Sequence, residues 1–151
     1  MIIEYNKTTM EICAAHYGMA WNASDWTNYE SNNAGKGVIN ISDEYTTTHK
    51  KYLQINDGVG TLHNISTMSV SASVSANSFG KYPLLSDNSA YIDFTGIPVD
   101  SACAVDGTSA GTMDSSGTFR FTAQHAGTYE VLFTKPAYEG AFFEVTASDN
   151  I

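Results

Sequence analysis

The residues of this chain best suited to metal binding or nucleophilic chemistry are its four histidines and two cysteines. Cys13 and His16 stand three positions apart, so together they offer two potential zinc ligands. A zinc site needs three or four protein ligands, however, and the other cysteine, Cys103, lies 90 positions further along the chain. The remaining histidines are widely separated. We therefore expect no metal site and no bound cofactor.

We also expect no catalytic site. The sequence contains no H-E-x-x-H pair, no P-loop and no dinucleotide-binding fingerprint, and we expect no serine-nucleophile elbow. A pair of carboxylates could perform glycoside hydrolysis, but nothing in the sequence selects two of them. Asp87, Asp106 and Asp114 stand at turns, where carboxylates either bind calcium or, more commonly, face solvent. The protein is predicted to bind other molecules rather than to be an enzyme.

Composition and charge narrow the choice of partner. The net charge is −9 at pH 7, and only seven residues are Lys or Arg, so we expect no nucleic-acid partner. No segment approaches the roughly 18 consecutive apolar residues of a membrane span, and we expect no membrane partner. The first residues do not resemble a secretion signal, which favours synthesis in a cytoplasm. There Cys13 and Cys103 would stay reduced and buried as small apolar residues, with a disulfide between them as the alternative.

Apolar and polar residues alternate through the last third of the chain, which is typical of strands with one buried face. Turns such as Asp106-Gly107 and Ser116-Gly117 separate these strands. We predict an all-β fold in which residues 89–151 form an antiparallel β-sandwich of the immunoglobulin-like class. Its structural core is predicted to contain seven residues: Phe119, Phe121, Tyr129, Val131, Phe133, Phe143 and Val145.

Tyr129 has a second possible role. It follows Gly127 by two positions and opens a strand, as does the tyrosine of a tyrosine corner, whose hydroxyl bonds back to the preceding loop. The alternative is a tyrosine that only packs against its neighbours.

A smaller β-rich assembly region is predicted over residues 1–88. Residues 2–5 are expected to form a strand and residues 6–9 a turn, with Met10 and Ile12 on the returning strand. Another strand is predicted at residues 51–55.

Three large aromatic side chains, Trp21, Trp26 and Tyr29, lie within nine residues beside an Asn- and Gly-rich segment. Trp and Tyr dominate interface hot spots because they bury large areas with few rotatable bonds. We predict that these three contact a neighbouring protein. The alternative is that the tryptophans close one end of the sandwich.

Small apolar residues alternate with serine from residue 68 to residue 76. This pattern predicts a long strand with one apolar and one hydroxyl face, and small side chains permit close approach of another subunit. We predict that the apolar face docks a neighbour; the alternative is a flexible Ser-rich linker. The interface candidates on this strand are Met68, Val70, Ala72 and Val74.

Several segments in the second half of the chain resemble the closing domain of small accessory proteins encoded among the structural genes of tailed bacteriophages. The N-terminal turn at residues 6–9 is also similar to their short opening hairpin, and the likeness covers about a third to a half of the chain. The segments that carry it in the closing domain are Ile97-Pro98, Val105-Asp106-Gly107, Ser116–Phe121, Ala126–Val131, Tyr138 and Phe143–Ala147.

This resemblance implies a virion structural protein, assembled in the host cytoplasm, that binds other virion proteins and is homo-oligomeric in the particle. A location at the tail or tail fibres is favoured, because the closing domain is most similar to proteins encoded near tail and fibre genes. One alternative is a capsid decoration protein that stabilises the head lattice. The third is a carbohydrate-binding module or adhesin, in which Trp21, Trp26 and Tyr29 would stack on sugar rings.

Overall fold

The computed structural model describes residues 1–18, 22–41, 51–54 and 61–149. The protein is almost all β, with 49% of its residues in strands and one short helix in the described ranges. It divides into two compact units, Met1–Ser66 and Thr67–Ile151.

The N-terminal unit contains two antiparallel sheets and the helix. The first sheet has the strand order β2-β1-β3, and β4 pairs with β5 in the second. A sixth strand, β6 (Ser66–Thr67), follows at the unit boundary. The other elements are β1 (Ile2–Asn6), β2 (Ile12–His16), α1 (Ala23–Asn32), β3 (Lys36–Asn40), β4 (Lys51–Gln54) and β5 (Thr61–Asn64).

The predicted N-terminal hairpin is present. Its turn is fixed by Asn6, whose Oδ1 accepts hydrogen bonds from the backbone N–H groups of Thr8 (2.8 Å) and Thr9 (3.0 Å). Met10 has a positive φ of 61° and lies outside β2, which begins at Ile12. The returning strand is therefore shorter than predicted.

Helix α1 was not expected. It begins at Asn22, whose Oδ1 accepts a hydrogen bond from the Asp25 N–H at 3.0 Å, while Asp25 Oδ2 accepts one from the Asn22 N–H at 2.9 Å. This reciprocal capping box satisfies two amide donors that the first turn of a helix would leave unpaired. The Asn-x-x-Asp spacing was the sequence feature that could have predicted the helix.

Among the described residues, the core of the N-terminal unit is mostly aliphatic. Ile3, Tyr5, Ile39 and Ile41 are buried together. Gly37 lies opposite Tyr5 in the β1–β3 register, and a Cβ at Gly37 would lie only 2.6 Å from Tyr5 Cζ. The absence of a side chain there lets the phenol ring lie across β3.

The C-terminal unit contains a five-stranded sheet with the order β11-β10-β13-β15-β8 and a three-stranded sheet with the order β12-β9-β7. The strands are β7 (Ser71–Ala72), β8 (Tyr82–Leu85), β9 (Ile92–Thr95), β10 (Ala102–Val105), β11 (Thr108–Thr112), β12 (Phe119–Phe121), β13 (Gly127–Thr134), β14 (Tyr138–Glu139) and β15 (Ala141–Ser148).

The two sheets form a β-sandwich, as predicted. In the immunoglobulin-like order expected from the sequence, β7, β9 and β12 correspond to strands A, B and E, and β10, β13 and β15 to C, F and G. One difference from a purely antiparallel fold is β8, which pairs with β15 in parallel. Pro83 lies in β8 at the sheet edge, where a missing N–H is tolerated.

The core of the C-terminal unit is aromatic. The ring centroids of Phe94 and Phe133 are 5.6 Å apart, and those of Phe94 and Phe143 are 4.7 Å apart. Of the seven residues assigned to the core from the sequence, Phe121, Val131, Phe133 and Val145 are buried. The other three, Phe119, Tyr129 and Phe143, are partly buried and pack against the same cluster.

The boundary between the units lies earlier than expected. It falls between Ser66 and Thr67, whereas the sequence suggested regions 1–88 and 89–151. The reason is strand pairing: β7 pairs with β9 and β8 pairs with β15, so residues 67–88 contribute two strands to the sandwich.

The structure also corrects the prediction for the Ser/Ala segment. Met68 is buried, and Val70, Ala72 and Val74 pack against the core of their own unit, so the apolar face is not free for a neighbour. Only Ser71–Ala72 form a strand, paired with Thr95 and Phe94 of the same chain. These side chains therefore cover part of the aromatic core of their own unit.

Candidate functional site

Among the described residues of the N-terminal unit, ionisable side chains cluster around Glu4 in the middle of β1. Lys36 on β3 places its Nζ 3.2 Å from Glu4 Oε1, and His16 on β2 places its Nε2 3.6 Å from Oε2. The Tyr29 side chain, on α1, also hydrogen-bonds the Glu4 carboxylate. Only 14% of the Glu4 side chain is exposed.

These contacts shift the pKa values of Glu4 and Tyr29. The hydrogen bond from Tyr29 is the main cause that lowers the pKa of Glu4, with Lys36 and His16 acting in the same direction against the effect of burial. Burial and the neighbouring Glu4 charge raise the pKa of Tyr29. Glu4 therefore stays ionised and Tyr29 protonated at neutral pH, which suits a structural tie between α1 and the sheet better than proton transfer.

The aromatic interface candidates of this unit are placed as follows. Tyr29 is half-buried and bonded to Glu4, so its hydroxyl serves the fold. Trp26 is half-buried on α1, and its indole Nε1 is buried without a hydrogen-bond acceptor among the described residues. Trp21 lies outside the described residues. The three side chains are not shown to form one exposed surface.

The C-terminal unit exposes a row of apolar side chains on the outer face of its five-stranded sheet. Val131 and Phe133 point into the core, so Leu132 between them points outward. Leu132 lies opposite Ala104 on β10 and opposite Phe142 on β15. Leu132 is 37% exposed and Phe142 is 51% exposed. We call Ala104, Leu132 and Phe142 the outer apolar row.

The outer apolar row lies beside carboxylates. Glu130 and Glu144 are opposite each other on the same outer face of β13 and β15. Glu144 forms an ion pair with Lys81, just before β8, and the Glu130 N–H donates to Asp106 Oδ1 at 2.8 Å. From residue 67 onward the chain contains nine Asp and Glu but three Lys and Arg, so the C-terminal unit as a whole is acidic.

The outer apolar row was not predicted. Its signal is a break in alternation: three apolar residues in succession at 131–133 and two phenylalanines in succession at 142–143. In a strand with one solvent-facing side, one member of each group must point outward.

The outer face of the three-stranded sheet is different in character. Arg120 makes a bidentate pair with Asp93, with both N···O distances 2.8 Å, and its guanidinium lies 3.7 Å from the centroid of the Tyr91 ring. The hydrogen bonds to Arg120 lower the pKa of Asp93. Arg120 thus contacts both the carboxylate and the aromatic ring on this face, which makes the face a poorer candidate for docking than the outer apolar row.

The tyrosine corner is confirmed. The Tyr129 hydroxyl donates to the backbone carbonyl oxygen of His125 at 2.8 Å. This bond ties the loop before β13 to the strand.

Two of the turn aspartates, Asp87 and Asp114, accept hydrogen bonds from their own loops. Asp87 Oδ1 accepts from the N–H groups of Ala90 and Ser89, and Asp114 Oδ1 accepts from the hydroxyl and the N–H of Ser116. These bonds lower the pKa values of both carboxyl groups. Among the described residues, no group of three or more His, Cys, Asp and Glu is arranged to hold a metal ion.

The sequence does contain the residue pattern of a serine-nucleophile elbow, although no such elbow is expected. Residues 107–111 read Gly-Thr-Ser-Ala-Gly, which matches G-x-S-x-G. A nucleophile elbow requires a sharp turn from a strand into a helix. Here the segment is a hairpin turn followed by the exposed edge strand β11, and Ser109 Oγ accepts a hydrogen bond from the nearby Gly111 N–H at 3.4 Å. The pattern therefore does not form a nucleophile elbow in this structure.

Both cysteines are free thiols rather than a disulfide; Cys13 is exposed and Cys103 is buried. Burial raises the pKa of the Cys103 thiol, which packs in the sandwich core as a small apolar residue.

Comparison with known proteins gives no relative. No protein-family model, no curated protein and no solved structure matches the chain significantly. In the parts of the chain that the structure describes, the helix is too short and too polar to cross a membrane.

Proposed function

We propose that this chain is a non-enzymatic structural protein of a tailed-bacteriophage virion, which binds neighbouring virion proteins at the tail or its fibres. The resemblance of its closing segments to phage accessory proteins supports this proposal, and so does the immunoglobulin-like sandwich that those segments form. The observation that carries the binding role is the outer apolar row, because its exposed Leu132 and Phe142 lie adjacent on a regular sheet.

Burial of apolar area would supply the free energy of binding at the outer apolar row. Removing a Leu or Phe side chain from water stabilises a complex by about 1.5–3 kcal/mol when burial is complete. Leu132 and Phe142 are 37% and 51% exposed, so a partner that covers them gains a substantial part of this amount. Their strands β13 and β15 are joined by a seven-residue register, so the surface is rigid before binding and little ordering is required.

The test of virion membership is the copy number of the protein in purified particles, measured by quantitative mass spectrometry and normalised to the major capsid protein. We expect a few per cent, as for a component of the tail or its fibres. A ratio near one would replace the tail location with capsid decoration. Absence from the particles would contradict the virion proposal, and binding to a glycan array would then be measured.

The test of the binding surface uses two matched variants. Leu132→Ser with Phe142→Ser should reduce incorporation into particles while the sandwich stays folded, because both side chains point away from the core. Val99→Ser is the control, since Val99 is 48% exposed on a loop of the same unit. Equal incorporation of the double variant and the control would contradict a binding role for the outer apolar row.

Trp26 remains a candidate contact of the N-terminal unit. We propose that Trp26→Ala weakens assembly while the C-terminal unit stays folded. Amide hydrogen exchange of β13 would check the folding, and incorporation into particles would check the assembly. Normal incorporation would exclude Trp26 as a contact.

A further inference from the structure

One apolar side chain of the C-terminal unit is far more exposed than the outer apolar row. Phe79 is 84% exposed, the largest value among the large hydrophobic residues that the structure describes. It lies in the turn between β7 and β8, and single exposed apolar residues are common on protein surfaces. The hydrogen bonds of this turn, however, fix the position of the backbone at Phe79.

The turn is held closed by one side chain. Asn77 Oδ1 accepts hydrogen bonds from the N–H groups of both Phe79 and Lys81, each at 3.0 Å. The Asn77 backbone closes the turn as well, since its N–H donates to the Lys81 carbonyl oxygen at 2.8 Å and its carbonyl oxygen accepts from the Gly80 N–H at 3.0 Å. Gly80 has a φ of +73°, which only glycine adopts without strain. The backbone that carries Phe79 is thus fixed before any partner arrives.

The turn leads into the edge of the sheet that carries the outer apolar row. Strand β8 runs parallel to β15, with Tyr82 opposite Val145. The ion pair between Lys81 and Glu144 continues that register back by one residue. The residues before Lys81 therefore lie toward the start of β15, where Phe142 points outward.

We propose that Phe79 is a preorganised anchor that inserts into an apolar pocket of a neighbouring virion protein, and that the rim of this pocket is basic. This inference rests on the proposed function and names the chemistry of the partner. A fixed aromatic side chain is a typical hot spot, because little conformational entropy is lost when it binds.

The charge of the unit selects this partner over a second copy of the same chain. The C-terminal unit carries nine Asp and Glu against three Lys and Arg. On the face beside the turn Glu144 is paired with Lys81, so Glu130 is the carboxylate there that no described basic side chain pairs with. Two copies that met through this face would bring like charges together, whereas a Lys- or Arg-lined rim complements it.

The first experiment is photo-crosslinking in intact particles. Phe79 is replaced by p-benzoylphenylalanine, the particles are purified and irradiated, and the crosslinked protein is identified by mass spectrometry. The control carries the same residue in place of Val99. We expect position 79 to crosslink to one other virion protein that position 99 does not reach, at a peptide flanked by Lys or Arg. A crosslink to a second copy of this chain, to lipid, or to nothing would overturn the anchor.

The two proposals fail in different ways in this experiment. Absence of the wild-type chain from the particles contradicts the virion function and removes the named partner with it. Presence of the wild-type chain without a crosslink from position 79 contradicts only the anchor.

A competition experiment measures the strength of the anchor. Wild-type and variant chains are produced together in equal amounts, and their ratio in the particles is determined. Phe79→Ser should be under-represented by about tenfold or more, which corresponds to about 1.4 kcal/mol. Its thermal melting should match that of the wild type, because the side chain is exposed. An equal ratio in the particles would overturn the proposal.

Asn77 is a positioning residue, because its side chain holds the backbone of Phe79. Its variants test whether this fixed backbone is needed for binding. Asn77→Ala removes the acceptor of two turn hydrogen bonds and should lower incorporation, whereas Asn77→Asp keeps an acceptor oxygen and should restore it. Equal incorporation of Asn77→Ala and the wild type would show that the fixed turn is not needed.

Discussion

The two units of this protein are stabilised in different ways. In its described part, the N-terminal unit combines a mostly aliphatic core with a polar cluster in which Glu4 contacts Tyr29, Lys36 and His16. The C-terminal unit relies on a larger aromatic core, and its ionic contacts lie at the surface. An aromatic core is insensitive to pH, whereas a carboxylate with a lowered pKa makes folding depend on pH. The comparison predicts different responses to truncation and to acid.

The largest effect is expected from Phe133→Ala. Phe133 is fully buried and contacts Phe94, Phe119 and Phe143, so its truncation should cost about 3–5 kcal/mol and unfold much of the C-terminal unit. The measurement is urea denaturation followed by amide hydrogen exchange of β15. Phe142→Ala is the matched control on the outer face, and a similar loss from both would contradict the assigned core.

Tyr29→Phe should be the most damaging removal of a single hydroxyl group. Loss of a hydrogen bond to a charged group costs about 1.5–3 kcal/mol, and Glu4 loses the main contact that lowers its pKa. Tyr129→Phe, which loses a bond to a neutral carbonyl, should cost about 0.5–1.5 kcal/mol. Both tryptophans precede residue 67, so their fluorescence in urea reports unfolding of the N-terminal unit for Tyr29→Phe. Unfolding of the C-terminal unit in Tyr129→Phe is followed in urea by amide hydrogen exchange of β13. A larger cost for the Tyr129 variant would reverse the comparison.

Val70→Asp should destabilise the sandwich itself. Val70 packs against the aromatic core, so an Asp there is partly buried without a partner and should cost about 1–3 kcal/mol. Ser71→Asp, on the exposed neighbouring residue, should change stability by no more than about 0.5 kcal/mol. Urea denaturation monitored by circular dichroism compares them. Equal stabilities of the Val70→Asp and Ser71→Asp variants would show that Val70 is not part of the core and would again favour an interface at residues 68–76.

The smallest effect is the response of the N-terminal unit to acid. The folded pKa of Glu4 lies below its ordinary value of 4.5, so the folded state binds fewer protons than the unfolded state near that pH. The stability that Glu4 contributes is therefore complete above pH 4.5 and is lost as the pH falls through the lowered folded pKa.

Tryptophan fluorescence during urea denaturation at a series of pH values measures this dependence. Glu4→Gln should make the stability of the N-terminal unit less dependent on pH. High salt should leave the contribution of Glu4 to stability largely in place, because that side chain is only 14% exposed. High salt should weaken the contribution of exposed ion pairs such as Asp93–Arg120. An unchanged pH profile in Glu4→Gln would contradict the role of this cluster.

Local sequence was sufficient to predict much of the sandwich. Alternation located the strands that contain Phe121, Val131 and Val145, because a side-chain period of two follows from strand geometry alone. Asp106-Gly107 predicted a hairpin, and both residues have positive φ. The Gly127–Tyr129 spacing predicted a bond that spans only four residues. Each of these features depends on contacts within one turn or one strand.

The tertiary structure decided everything that depends on residues distant in the chain. Alternation shows that the face of Val70 is apolar, but only the fold shows that the core of the same unit covers it. Phe142 and Phe143 are identical in type, and pairing with β13 decides which one points outward. Glu4 acquires its three partners because β2, β3 and α1 converge on β1. Backbone preferences act over a few residues, whereas burial and charge pairing are set by long-range contacts, so the sequence alone determined the strands and the tertiary structure determined which surfaces remain for a partner.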